Sequence, residues 1–73
     1  MPGPETFQPL GSSHIASVEY DFDAQTMTVE FTSSDRYEYR NVPQEVFRRW
    51  QTASSAGEFF QRQVKGRFAT ESV

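Results

Sequence analysis

A chain of 73 residues makes one domain at most, and at this size only roughly 60% of the surface exposed by the unfolded chain is buried, so the core must be small. With no cysteine there is neither a disulfide framework nor a thiolate metal site, and stability rests on packing, turns and caps. The formal net charge of −3 argues against a general electrostatic grip on nucleic acid. The chain also shows no basic-then-apolar leader and nothing near the roughly 20 apolar residues of a spanning helix, so a cytoplasmic protein with no membrane partner is expected.

Residues 1–12 hold three of the four prolines and two of the four glycines and show no period, which predicts a flexible tail. From His14 the pattern alternates, with Ala16, Val18 and Tyr20 on one face and Ser17, Glu19 and Asp21 on the other; this predicts a half-buried strand. Asp21 to Gln25 reads as a turn, because short Asx side chains hydrogen-bond their own backbone. A second strand follows with Met27, Val29 and Phe31 inward, then a turn at Ser33-Ser34-Asp35. A third places Tyr37 and Tyr39 opposite Arg36, Glu38 and Arg40.

Val42-Pro43 ends the sheet, because proline cannot donate to a ladder while its fixed φ suits a helix start; Asn41 or Val42 falls near the cap. Val46, Phe47, Trp50 and Ala53 then recur at helical spacing, with Arg48, Arg49 and Gln51 outward. Ser55-Ala56-Gly57-Glu58 has the form of a capping box, so a second helix begins near Ala56 with Phe59, Phe60, Val64 and Phe68 as its stripe. Residues 69–73 are read as a second tail. The fold expected for 13–68 is α+β, a three-stranded antiparallel meander followed by two helices packed on one face.

These residues together resemble the KTSC family, a short domain named for the C-terminus of some lysyl-tRNA synthetases and also found alone. The resemblance covers about residues 12–68. It rests on Ser13 and Ile15, Tyr20-Asp21, Val29-x-Phe31, Tyr37-x-Tyr39, Val42-Pro43, Phe47, the run Ala53-x-Ser55-x-Gly57-x-Phe59-Phe60, and Val64-Lys65. Met27 departs from a usual leucine, Phe47 and Phe59 from a common tyrosine, Gln61 from a common asparagine, and Ser34-Asp35 from a glycine turn. What the resemblance implies is a non-catalytic module, standalone or appended, with a link to RNA metabolism and no active site to carry over.

The residues agree on catalysis. His14 is the only histidine, and Ser12, Ser13 and Asp21 are the only nearby candidates for a hydrolytic constellation, whereas a triad needs a buried orienting carboxylate and an oxyanion hole. Asp21 and Asp23 offer two oxygens to a hard cation that wants six or more, so turn stabilisation is the expected role and no metal or cofactor is expected.

Binding is where the sequence divides. Residues 1–40 carry seven acids against Arg36 and Arg40, a net of −5, while residues 41–73 carry five bases against Glu45, Glu58 and Glu71, a net of +2. The candidate anion or nucleic-acid site is therefore helical: Arg48, Arg49, Arg62, Lys65 and Arg67 for phosphates, with Ser55 and Gly57 at a helix start. The bland alternative is a solvated basic face, with Gly57 letting the helices pack closely. Base stacking on the sheet is disfavoured, because strand parity turns its aromatics toward the helices and leaves Ser17, Glu19, Thr28, Glu30, Arg36, Glu38 and Arg40 on the open face. The rival is a protein-interaction module in which the outer strand pairs with a partner chain, Ile15–Tyr20 serving as that free edge if the meander leaves it outside. A monomer with an unspecified protein or ligand partner is preferred to RNA.

Overall fold

The structure, a computed structural model, describes residues 3–9 and 12–73. Among them the architecture is α+β, and the sheet has five antiparallel strands in chain order rather than three. The strands are β1 (Glu5–Phe7), β2 (Ile15–Asp21), β3 (Thr26–Phe31), β4 (Arg36–Arg40) and β5 (Ala69–Ser72). Helices α1 (Gln44–Gln51) and α2 (Ala56–Phe59) lie between β4 and β5, and α2 runs on into a π-helical turn at Phe60–Val64.

The two extra strands come from segments expected as tails. Phe7 pairs with Val18 and Glu5 with Tyr20, which places β2 between β1 and β3. Ile15–Tyr20 is thus an interior strand, and the expectation of a free edge there is overturned; the edges are β1 and β5. Residues 1, 2, 10 and 11, on which the tail reading also rested, lie outside the described residues.

Alternation places most inward residues correctly. Val18, Tyr20, Met27 and Val29 are fully buried, with Tyr39 close behind. The exception is at the start of β2, where Ile15 pairs with Phe31 but Ser17 with Glu30. This leaves Ala16 as an extra residue in a bulge, which switches the strand's parity. Ile15, not Ala16, therefore enters the core. On the opposite face the register aligns Glu19, Thr28, Glu38 and Glu71 in one row.

Local chemistry explains the turns. Asp21 Oδ1 accepts from the Asp23 and Ala24 amides at 3.0 and 3.2 Å, the expected Asx turn. Pro43 is the N-cap of α1 rather than its first helical residue, and the buried Val42 before it carries the chain into the core. Ser55 caps α2 by accepting the Glu58 amide at 3.3 Å, while Glu58 turns to Arg62 with a separation of 3.6 Å instead of reaching back to the cap.

Trp50 joins the layers. Its ring stacks on Phe59 and Phe60 at 5.6 and 5.9 Å between centroids, and its Nε1–H donates to the Ala56 carbonyl at 3.2 Å, tying α1 to the start of α2. Phe47 stacks on Tyr20 at 5.1 Å, and the Tyr20 hydroxyl donates to the Val42 carbonyl at 2.5 Å, anchoring the sheet-to-helix changeover.

Candidate functional site

The second helix does not run on to Phe68. The Lys65 amide bonds the Phe60 carbonyl at 2.8 Å, an i to i+5 closure, and the Arg67 amide bonds the Val64 carbonyl at 3.1 Å. Lys65 has φ −63 and ψ 123 and Gly66 has φ +78, which are the angles of a type II turn and explain the glycine at its third position. This wide turn followed by a tight one directs the chain back to β5. Lys65 and Gly66 are left beside the sheet.

Between this turn and the sheet lies a cleft of about 520 Å³, within the range of small-molecule sites. Its floor is the buried Ile15, Tyr39 and Phe60, and its walls are the half-buried Phe31 and Tyr37. Phe31 meets Phe60 at 5.4 Å and Tyr37 at 5.8 Å between ring centroids, both edge to face, so aromatic groups from β3, β4 and the π turn form one continuous lining. His14, Gln61, Lys65 and Thr70 complete it with exposed polar groups, and Gly57 lies at its rim. Burial raises the pKa of Tyr39, with the Thr70 side chain acting against the shift and the neighbouring Tyr37 adding to it. Tyr39 therefore presents a neutral hydroxyl at ordinary pH.

The seven residues of the expected anion site do not converge. Arg48 lies on α1, bonds Glu5 of β1 at 3.0 Å and sits over the Phe22 ring at 5.1 Å. Arg49 shares only a shallow surface with Arg48, beside Gln44 and Glu45. Ser55 and Arg62 border a separate hollow of about 280 Å³ with Glu58 and Phe59, and Arg67 spends its Nε–H on the Arg62 carbonyl at 2.8 Å. Gly57 and Lys65 alone among the seven share the cleft. Close helix packing does not explain Gly57 either, since a Cβ there would meet no atom within 4 Å.

Sequence reasoning named Phe31, Tyr37 and Tyr39 only as core. Parity told which way they point, but it could not show that β5 would leave Phe31 and Tyr37 half open. A second hollow, of about 510 Å³, is bordered by Phe7, Gln8, Pro9, Trp50 and Gln51 and has no charged side chain in its lining.

His14 and Asp21 are held apart by the length of β2, and the Asp21 carboxylate is engaged in its turn. No helix among the described residues is long and apolar enough to cross a membrane.

A five-stranded meander with paired helices on one face and an aromatic cleft at their join defines a small α+β module. The chain belongs to the KTSC domain family, whose model matches residues 11–68, and the resemblance read from Val42-Pro43 and the Ala53–Phe60 run is thereby shown. A KTSC domain protein from Yersinia pestis, known from its crystal structure, has a TM-score of 0.87 and 31% identity, with 97% of this chain and 99% of that one covered. A protein of Tsukamurella paurometabola is 41% identical over 84% of this chain and 91% of its own length. A lysine–tRNA ligase of Trichormus variabilis is 38% identical over 84% of this chain, which spans 11% of the ligase.

Proposed function

We propose that the chain is a small non-catalytic binding module of the cytoplasm, acting as a monomer, whose ligand sits in the cleft between the π turn and the β3–β5 side of the sheet. One observation carries this reading: aromatic groups from three elements meet there, Phe31 and Tyr37 half open over the buried Phe60, at a π turn whose closing residue is an exposed lysine. Segments of π-helix are rare and concentrate at functional sites. Amide NMR with a set of neutral, cationic and anionic aromatic probes tests it. Shifts should centre on Tyr37, Gln61, Lys65, Gly66 and Thr70. Shifts centred on α1 or the open sheet face, or none at millimolar probe, would sink the reading.

RNA binding over the basic helical side is the second reading, supported by the match to part of a lysine–tRNA ligase. It predicts shifts at Arg48, Arg49, Arg62 and Arg67 with a short RNA, and affinity that falls steeply with salt. Its weakness is geometric, because Arg48 and Arg62 are already paired with Glu5 and Glu58.

A further inference from the structure

Resting on the cleft as the ligand seat, we infer that it selects a small organic anion with a flat apolar body, its charge held by Lys65. Aromatic-lined cavities recognise two kinds of guest. They cage alkylammonium cations against ring faces, or they stack planar apolar groups.

Charge decides between them here. Among the described residues no carboxylate lines the cleft, and the one formally charged side chain in its lining is Lys65. An ammonium guest would meet a like charge with no acid to offset it. Lys65 is also uncommitted. Arg40, Arg48 and Arg62 have carboxylate partners and Arg67 bonds a carbonyl, whereas Lys65, Arg36 and Arg49 enter no ion pair among the described residues, and of these three Lys65 alone lines the cleft. Its backbone is fixed at the end of the π turn by the bond to the Phe60 carbonyl, so the base of its side chain is anchored at a lining that includes the rings of Phe31, Tyr37 and Phe60. A carboxylate reaching Lys65 would leave its apolar body against those rings. The hydroxyls of Tyr37 and Thr70 and the imidazole of His14 can donate further hydrogen bonds to its oxygens.

The test uses the full chain, with naphthoate as probe and naphthylmethanol, choline, inorganic phosphate and a short oligouridine as comparators. Naphthoate should shift the Tyr37, Gln61, Lys65 and Thr70 amides and bind roughly tenfold tighter than the alcohol, the scale of one charge-assisted hydrogen bond. Lys65→Met should remove most of that advantage while leaving the alcohol's affinity within about twofold, and Lys65→Arg should retain it. Lys65 is exposed, so its variants should melt like the parent.

Equal binding of naphthoate and the alcohol, or of choline, at the cleft amides would overturn the anion assignment and leave the cleft standing as a binding site. Phosphate binding as tightly as naphthoate would overturn the apolar half of the assignment. Oligouridine displacing naphthoate at lower concentration would replace the small ligand with nucleic acid. Silence at the cleft from every probe would remove the proposed function along with this inference.

Discussion

At the β1 edge of the sheet, Phe7 reaches across to Phe47 and Trp50, with ring centroids 5.5 and 6.1 Å away. Glu5 of the same strand takes hydrogen bonds from Arg48 and Gln51 of α1 at 3.0 and 3.2 Å. At the β5 edge nothing comparable happens. All four residues of β5 are exposed, its ion pair between Glu71 and Arg40 lies on the face away from the helices, and only Thr70 borders the cleft. Two short strands of one meander therefore do different work. β1 stitches the sheet to the helical layer, while β5 caps the sheet through its backbone and leaves the aromatic groups beside it open. The unstitched side is where a ligand has room.

Trp50 touches both regions, with Phe7 on one side and Phe59 and Phe60 on the other, so its removal should do the most damage. Trp50→Ala should cost about 3–5 kcal/mol, most of the stability a domain of this size has, and urea unfolding would show a chain close to its midpoint without denaturant. An undisturbed midpoint would mean that the two regions are held together elsewhere. The edges themselves separate in a milder pair. Phe7→Ala should cost about 2 kcal/mol, since a half-buried ring loses two aromatic neighbours, against less than about 0.5 kcal/mol for Thr70→Ala on an exposed strand. Equal losses in matched melts would break the comparison.

Alkaline pH sharpens it from a different direction. Burial, and then the charge of Asp21, raises Tyr20 above the ordinary tyrosine value of 10.0, and burial also raises Tyr39 beside the cleft. A raised pKa means that the unfolded chain loses its proton first. The stabilisation is therefore complete below the unfolded value and is lost as pH rises past 10.0 and through the folded value. Melting temperature should hold from neutral pH to about 10 and fall beyond it. Tyr20→Phe should lower stability at neutral pH by about 1–2 kcal/mol, because the buried Val42 carbonyl loses its donor, yet it should flatten the alkaline fall. A fall equally steep in Tyr20→Phe would place the sensitivity elsewhere.

How far the sequence foretold this difference follows from what each element needs. Strands β2 to β4 bury one face, so alternation in Val18–Tyr20, Met27–Phe31 and Tyr37–Tyr39 marks them, and the stripe of Phe47 and Trp50 marks α1. Strand β5 buries no side chain; its Ala-Thr-Glu-Ser carries no period because no face of it enters the core. Strand β1 has three residues between prolines, too few for alternation to show. Missing β1 meant missing Glu5, and without Glu5 the arginine at 48 read as an available cation. The π turn was hidden for another reason: Phe60 and Val64 are four apart, a spacing that an α-helix satisfies equally well. Gly66 was the signal within reach, since a glycine after Lys65 at a helix end points to a stop.

Glycines at the two ends of the second helix give the smallest and most discriminating pair. Gly66 sits at φ +78, where a Cβ costs about 1 kcal/mol, so Gly66→Ala should destabilise by that amount and displace Lys65 with its turn. Gly57 has no positive φ and open space where a Cβ would go, and alanine in a helix is favoured over glycine by up to about 1 kcal/mol. Gly57→Ala should therefore leave melting unchanged or raise it slightly while placing a methyl group at the rim of the cleft. A stability gain accompanied by weaker naphthoate binding is the expected outcome. A stability loss would show that Gly57 is held by a contact the open rim does not reveal, and unchanged binding would place the ligand deeper, against Phe31 and Phe60.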